Sequence, residues 1–162
     1  MPETSIEVPV VATNEPPPPA APQSEPLHLC GLACPVTHAM TSPPVFGDPE
    51  MTLRAVAQTM AGERIGALVL IREDGPSSIV TERDVVDALA AGADPDSEWA
   101  VEASSAELLT LDDSDTVADA VRLMVEEGVR HLPVRRSGEI IGMVSARDLL
   151  FAVASLLSPL LS

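Results

Sequence analysis

The sequence predicts an α+β fold made of two tandem helix-strand-strand-helix repeats, packed about a pseudo-two-fold axis and preceded by a disordered, Pro-rich tail. Three observations carry that prediction. Two stretches of the chain match each other at a constant offset of 64 residues, with Thr52 corresponding to Thr116. Each stretch runs from a helix-spaced apolar pattern into two short apolar runs and then a second helical pattern. Finally, 162 residues with 46% apolar content support one ordinary core, or two small subdomains that share one.

The chain begins with a segment rich in Pro, Glu and Ala, including the run Pro16 to Pro19. It has few large apolar residues to offset the entropy of ordering, and its prolines favour extended geometry, so residues 1–34 read as a disordered tail. The first repeat is expected over residues 35–97 and the second over 98–158. Their first helices read TLRAVAQTM, Thr52 to Met60, and TVADAVRLM, Thr116 to Met124, each capped by its Thr. Next come the buried strands IGALVLI from Ile65 and VRHLPV from Val129. Hairpin turns are expected at Asp74-Gly75 and Ser137-Gly138. The return strands and second helices pair as SIVTERDVV from Ser78 and GMVSARDLL from Gly142, with Thr81 and Ser145 at the N-caps. Asp94 to Ser97 reads as a turn, and Trp99 to Ala106 as the lead-in to the second repeat.

Composition excludes several functions. With no Tyr, one Trp and two Phe, the core is aliphatic and the chain lacks stacking platforms for single-stranded nucleic acid. The 25 acids against 9 bases, all Arg, give a net charge of −16, and no basic patch opposes a field that repels duplex DNA. No nucleic-acid partner is expected. A few arginines and backbone N–H groups can still hold a small anion in an acidic protein. The apolar stretch from Leu149 to Leu161 is shorter than the roughly 20 residues a bilayer requires, and the N-terminus has no secretory pattern. A cytoplasmic protein with no membrane partner is the expectation.

The pattern Thr/Ser-x-Arg-Asp at a helix start suits a nucleotide. Free N–H groups and the helix dipole favour a phosphate, and the hydroxyl of Thr81 or Ser145 adds a donor. One turn on, Asp84 or Asp148 can accept from the two hydroxyls of a ribose. Each Asp also reads as a residue stabilising the helix dipole, but recurrence at matched positions favours the ligand role. Arg83 and Arg147 suit phosphate and surface ion pairs equally. His131 reads as a strand-packing residue, since no nucleophile or carboxylate is positioned with it by sequence.

Taken together, MTLRAVAQTM, IGALVLI and IVTERDV in one copy, and DTVADAVRLM, GVRHLPV and GMVSARDLL in the other, resemble a tandem pair of CBS domains, or Bateman module, over roughly Pro35 to Ala154. The resemblance implies that Asp84 and Asp148 hold ribose and that Thr81, Arg83, Ser145 and Arg147 meet phosphate. It implies that adenine lies against Ile65, Gly66 and Ala67 in one site, and against Val129, Arg130, His131, Leu132 and Pro133 in the other, covered by Val45 and Leu109. The expected ligand is AMP, ADP, ATP or S-adenosylmethionine, acting as a regulator with no cofactor required. It also implies a homodimer completing a disc, through the apolar helices around Val85 to Leu89 and Leu149 to Leu157, and an unidentified regulated protein.

One departure stands out: the family begins its return strand with Gly, as at Gly142, while the first copy has Ser78, which makes the first site narrower, altered or empty. His28, Cys30, Cys34 and His38 are a minor alternative as metal ligands, with an unfamiliar spacing; no metal is expected. The two cysteines are not laid out as a disulfide framework. Three function classes result, in descending order: an adenosyl sensor, a ligand-free CBS-pair dimerisation module, and an enzyme. The last lacks any triad, metal-carboxylate set or phosphate-binding Gly-rich loop.

Overall fold

The fold follows from local signals that recur in register. This computed structural model describes residues 31–73, 75–105 and 107–157, with side chains described up to residue 154. The sequence-predicted tail up to residue 30 lies outside the described residues, as does Asp74. The first repeat comprises β1 (Phe46–Gly47), α1 (Leu53–Glu63), β2 (Ala67–Arg72), β3 (Gly75–Thr81) and α2 (Glu82–Ala90). A short α3 (Ala100–Ala103) precedes the second, which comprises β4 (Leu111–Asp112), α4 (Val117–Glu127), β5 (His131–Arg136), β6 (Glu139–Ser145) and α5 (Ala146–Leu157).

Each repeat holds a three-stranded sheet in which the central strand pairs in parallel with the first and antiparallel with the third. The predicted α+β class and its two repeats are therefore what the chain forms. Thr52 and Thr116 cap α1 and α4, accepting from the N–H of Ala55 and Asp119. One turn differs from expectation. Gly75 is the first residue of β3 and pairs with Arg72, so it belongs to the strand rather than to the turn. In the second hairpin Ser137 and Gly138 both take positive φ, 52° and 91°, the backbone of a two-residue type I′ turn.

Strand alternation sends Leu68, Leu70 and Val80 into one core with Leu53, Val56 and Met60 of α1, and Leu132, Val134 and Val144 into the other with Val117 and Met124 of α4. Each buried aliphatic side chain contributes about 1.5 to 3 kcal/mol. The opposite faces are also covered: Val69 and Pro133 are fully buried although neither belongs to these two cores. There the repeats meet, and Gly66, just before β2, lies against His131 at the start of β5.

The lead-ins are exchanged. Pro35 bridges Thr116 of the second repeat, Val36 N–H donates to the Asp115 carbonyl, and Cys34 and Val36 are fully buried in the second core. Trp99 bridges Thr52 of the first repeat, Ala100 N–H donates to the Met51 carbonyl, and Ala100 is buried in the first core. Thus the segment preceding each repeat packs on the other one. It also covers that repeat's outer strand: Thr41 and Met143 exchange both backbone hydrogen bonds, and Ser105 N–H donates to the Ile79 carbonyl. This pairing satisfies edge groups that would otherwise be open.

Candidate functional site

The two helix starts form matched capping boxes. Thr81 donates to Asp84 Oδ2 through both its N–H and its hydroxyl, at 2.7 Å each, and accepts from Asp84 N–H at 3.4 Å. Ser145 and Asp148 repeat the arrangement at 2.8, 2.6 and 3.3 Å. The hydroxyl protons read from sequence as phosphate donors are thus directed to the carboxylates. The first helical N–H groups are engaged too, Glu82 with the Gly66 carbonyl and Ala146 with the Arg130 carbonyl. Each aspartate keeps Oδ1 without a hydrogen-bond partner among the described residues, an acceptor aimed away from the cap.

The arginines differ between repeats. Arg83 makes a loose, exposed ion pair with Asp87 at 3.9 Å, the surface role that sequence weighed equally with phosphate. Arg130 and Arg147 are exposed and make no side-chain hydrogen bond or ion pair among the described residues. Both lie close enough to act on half-buried His131. Burial pushes the His131 imidazolium below its ordinary 6.5, Arg130 and Arg147 push the same way, and Glu82 and Asp148 oppose them. A Cβ on Gly66 would stand 3.0 Å from His131 Nε2, so the close approach of the repeats depends on glycine there.

The remaining expected site residues separate into two sets. Ile65 and Val45 pack partly buried on the first core, and Leu109 and Val129 on the second. Ala67, Leu132 and Pro133 are buried, with Leu132 pointing into its own repeat's core, so that side chain does not line an open pocket. Of the alternative metal set, His28 and Cys30 lie outside the described residues. Cys34 is fully buried and disulfide-bonded, so it has no thiolate for a metal. Among the described residues no three His, Cys, Asp or Glu side chains are grouped to hold a metal ion. No helix among them is long and apolar enough to cross a membrane.

Sequence reasoning missed an open cavity of about 430 Å³ lined by Arg72, Pro76, Ser77, Ser78, Val101, Ser104 and Ser105. The sequence marks Ser78 as a departure from glycine but does not mark its neighbour. The Ser104 hydroxyl lies 3.0 Å from that of Ser78. The offset of 64 contains the signal, since it maps Ser104 onto Met40 and Ser78 onto Gly142, a pair that only the exchanged lead-ins bring together. A second open cleft, of about 410 Å³, runs beside Asp84 and is otherwise acidic and Ala-rich, with Asp87, Glu98 and Glu102.

The model of the family described as CBS domain matches twice, over residues 36–91 and 101–155. The chain belongs to the CBS domain family. It carries two CBS domains in tandem. An uncharacterised protein of Methanopyrus kandleri is 37% identical over 109 residues, which are 65% of this chain and 56% of that protein, so the chain spans little more than half of that relative. A CBS domain protein from Pyrobaculum aerophilum, solved in complex with AMP, is 30% identical over 75% of this chain and 99% of its own, with a TM-score of 0.66. A CBS domain pair solved with 5′-methylthioadenosine and S-adenosyl-L-methionine has a TM-score of 0.67 at 19% identity over 73% of this chain and 98% of its own, a likeness of fold.

Proposed function

We propose that this CBS pair is a regulatory module that senses an adenosyl compound, AMP, ADP, ATP or S-adenosylmethionine, in the cleft between its two domains. The observation that carries the reading is the group around Asp148. Among the described residues its Oδ1 has no hydrogen-bond partner, and Arg130 and Arg147 near His131 make no ion pair. An acceptor for ribose and cations for phosphate thus converge at the second helix start. The AMP complex of the Pyrobaculum aerophilum protein supports the ligand class. In the first domain Arg83 is paired with Asp87, which favours the second site as the primary one.

The module acts by binding rather than catalysis: ligand stabilises one arrangement of the domains and changes affinity for a regulated protein in the cytoplasm. It works as a homodimer. Val85 and Leu149, read from sequence as dimer surface, face the core, while Val86, Leu89 and Leu150 on the same helices are exposed and supply the apolar contact.

The test is a thermal-shift titration with AMP, ADP, ATP, S-adenosylmethionine and GTP. Ligand at 100 times its Kd stabilises by about 2.7 kcal/mol. A rise in Tm with one adenosyl compound, lost in Arg147→Gln and Asp148→Asn, is expected. If no adenosyl compound raises Tm, the ligand-free dimerisation module is the correct reading.

A further inference from the structure

We propose that the cavity beside Ser78 is an oxyanion site, taking a phosphate or carboxylate group on Arg72, and that it is separate from the adenosyl cleft. Three differences between the repeats, each at the 64-residue offset, converge on it. In the second repeat the corresponding place is filled: a Cβ on Gly142 would lie 2.6 Å from Met40 Sδ, so the thioether packs directly on the strand. In the first repeat Ser78 and Ser104 replace Gly142 and Met40, leaving an open, hydroxyl-lined space. The cations differ as well. Arg136 is tied to Asp113, whereas the position 64 residues before that acid is Pro49, and Arg72 makes no ion pair or side-chain hydrogen bond among the described residues.

The local backbone keeps the lining in place. A register shift between Leu70 and Ile71 leaves Ser77 as an extra residue in β3, and its hydroxyl donates to the Leu70 carbonyl at 3.2 Å. Ser104 and Ser78 satisfy each other, with Ser104 also 3.0 Å from the Val101 carbonyl. The donors left for a ligand are the Arg72 guanidinium and the Ser105 hydroxyl. A planar guanidinium offers two parallel N–H groups to a phosphate or carboxylate. In a chain of net charge −16 the long-range field opposes anions, so selectivity rests on these direct contacts.

The experiment titrates the full chain with inorganic phosphate, sulfate and acetate at constant ionic strength, following Tm and, for phosphate, ³¹P line width. Arg72→Gln, an exposed substitution, is expected to weaken the bound anion roughly tenfold or more. Arg136→Gln, the paired equivalent, is expected to bind as wild type does, and Ser104→Met, which refills the cavity, to lose binding. Whichever anion shows the Arg72 dependence names the group. No anion binding by the wild type, or binding that survives Arg72→Gln and disappears in Arg147→Gln, overturns the proposal.

Discussion

Ser78 and Ser104 are joined through their hydroxyls at 3.0 Å in the same place where, one repeat later, Gly142 lies beneath Met40. The two pairs are alternative solutions to one packing problem. A lead-in strand crosses the outer strand of the other repeat, and the two facing side chains share the space between them. Glycine accommodates a methionine; serine requires a small polar partner.

Gly142→Ala is therefore expected to destabilise the protein by about 1 to 3 kcal/mol, because the new Cβ meets Met40 Sδ at 2.6 Å and the Thr41 carbonyl oxygen at 2.9 Å. Adding Met40→Ser should recover part of the loss but not all, since the backbone contact remains. Chemical denaturation of the single and double variants measures both terms.

Asp148→Ala removes the acceptor for both the N–H and the hydroxyl of Ser145. It should cost about 1 kcal/mol without any ligand present. Asp148→Asn keeps one oxygen for the cap and should cost less. Melting curves taken with and without AMP separate this structural loss from the loss of ligand response, which both variants should show.

The pH dependence of stability follows from His131. Its folded pKa is lowered from 6.5, chiefly by burial, so below about pH 6.5 the unfolded chain binds more protons than the folded one. Stability should fall as pH drops through 6.5 toward the folded value and then level off with respect to this group. His131→Gln should flatten that part of a Tm-versus-pH profile; an unchanged slope between pH 5 and 7 would assign it to other groups.

Val36→Ala probes the exchanged lead-in. The side chain is fully buried in the core of the repeat that it does not precede. A loss of about 2 kcal/mol is expected in urea denaturation, as for removal of two buried methyl groups. A change within 0.5 kcal/mol, typical of a surface substitution, would show that this contact is not maintained in solution.

Leu150→Glu places a charge on an exposed apolar position of α5. Light scattering at micromolar concentration should report a dimer for the wild type and a monomer for the variant, with Tm lowered only through the loss of association.

Much of the architecture was legible because it is local and repeated. The Thr caps, the Thr81–Asp84 and Ser145–Asp148 pairs and the alternation of Leu68, Leu70, Leu132 and Val134 all depend on residues within a few positions of one another. Those signals occur twice in register, which is why the two CBS units could be read from the chain. The roles of the aspartates were only half legible. Sequence places Asp148 one turn from Ser145, but whether the hydroxyl proton serves a ligand or the carboxylate depends on the Ser145 side-chain orientation in the folded helix start.

By itself, then, the sequence determined the repeat, its elements, the capping residues and the strongly acidic net charge. Only the tertiary structure decided which lead-in packs on which repeat, that Cys34 is bonded and buried, and that Ser78 faces Ser104 while Arg72 has no acidic partner among the described residues. The physical reason is range. Capping and periodicity act over one helical turn or two strand positions, whereas Ser78 and Ser104 are 26 residues apart and Thr41 and Met143 are 102 apart. Nothing in a local pattern specifies which of two equivalent repeats a lead-in will join. That choice is made when both sheets, both cores and the segments between them are packed at once.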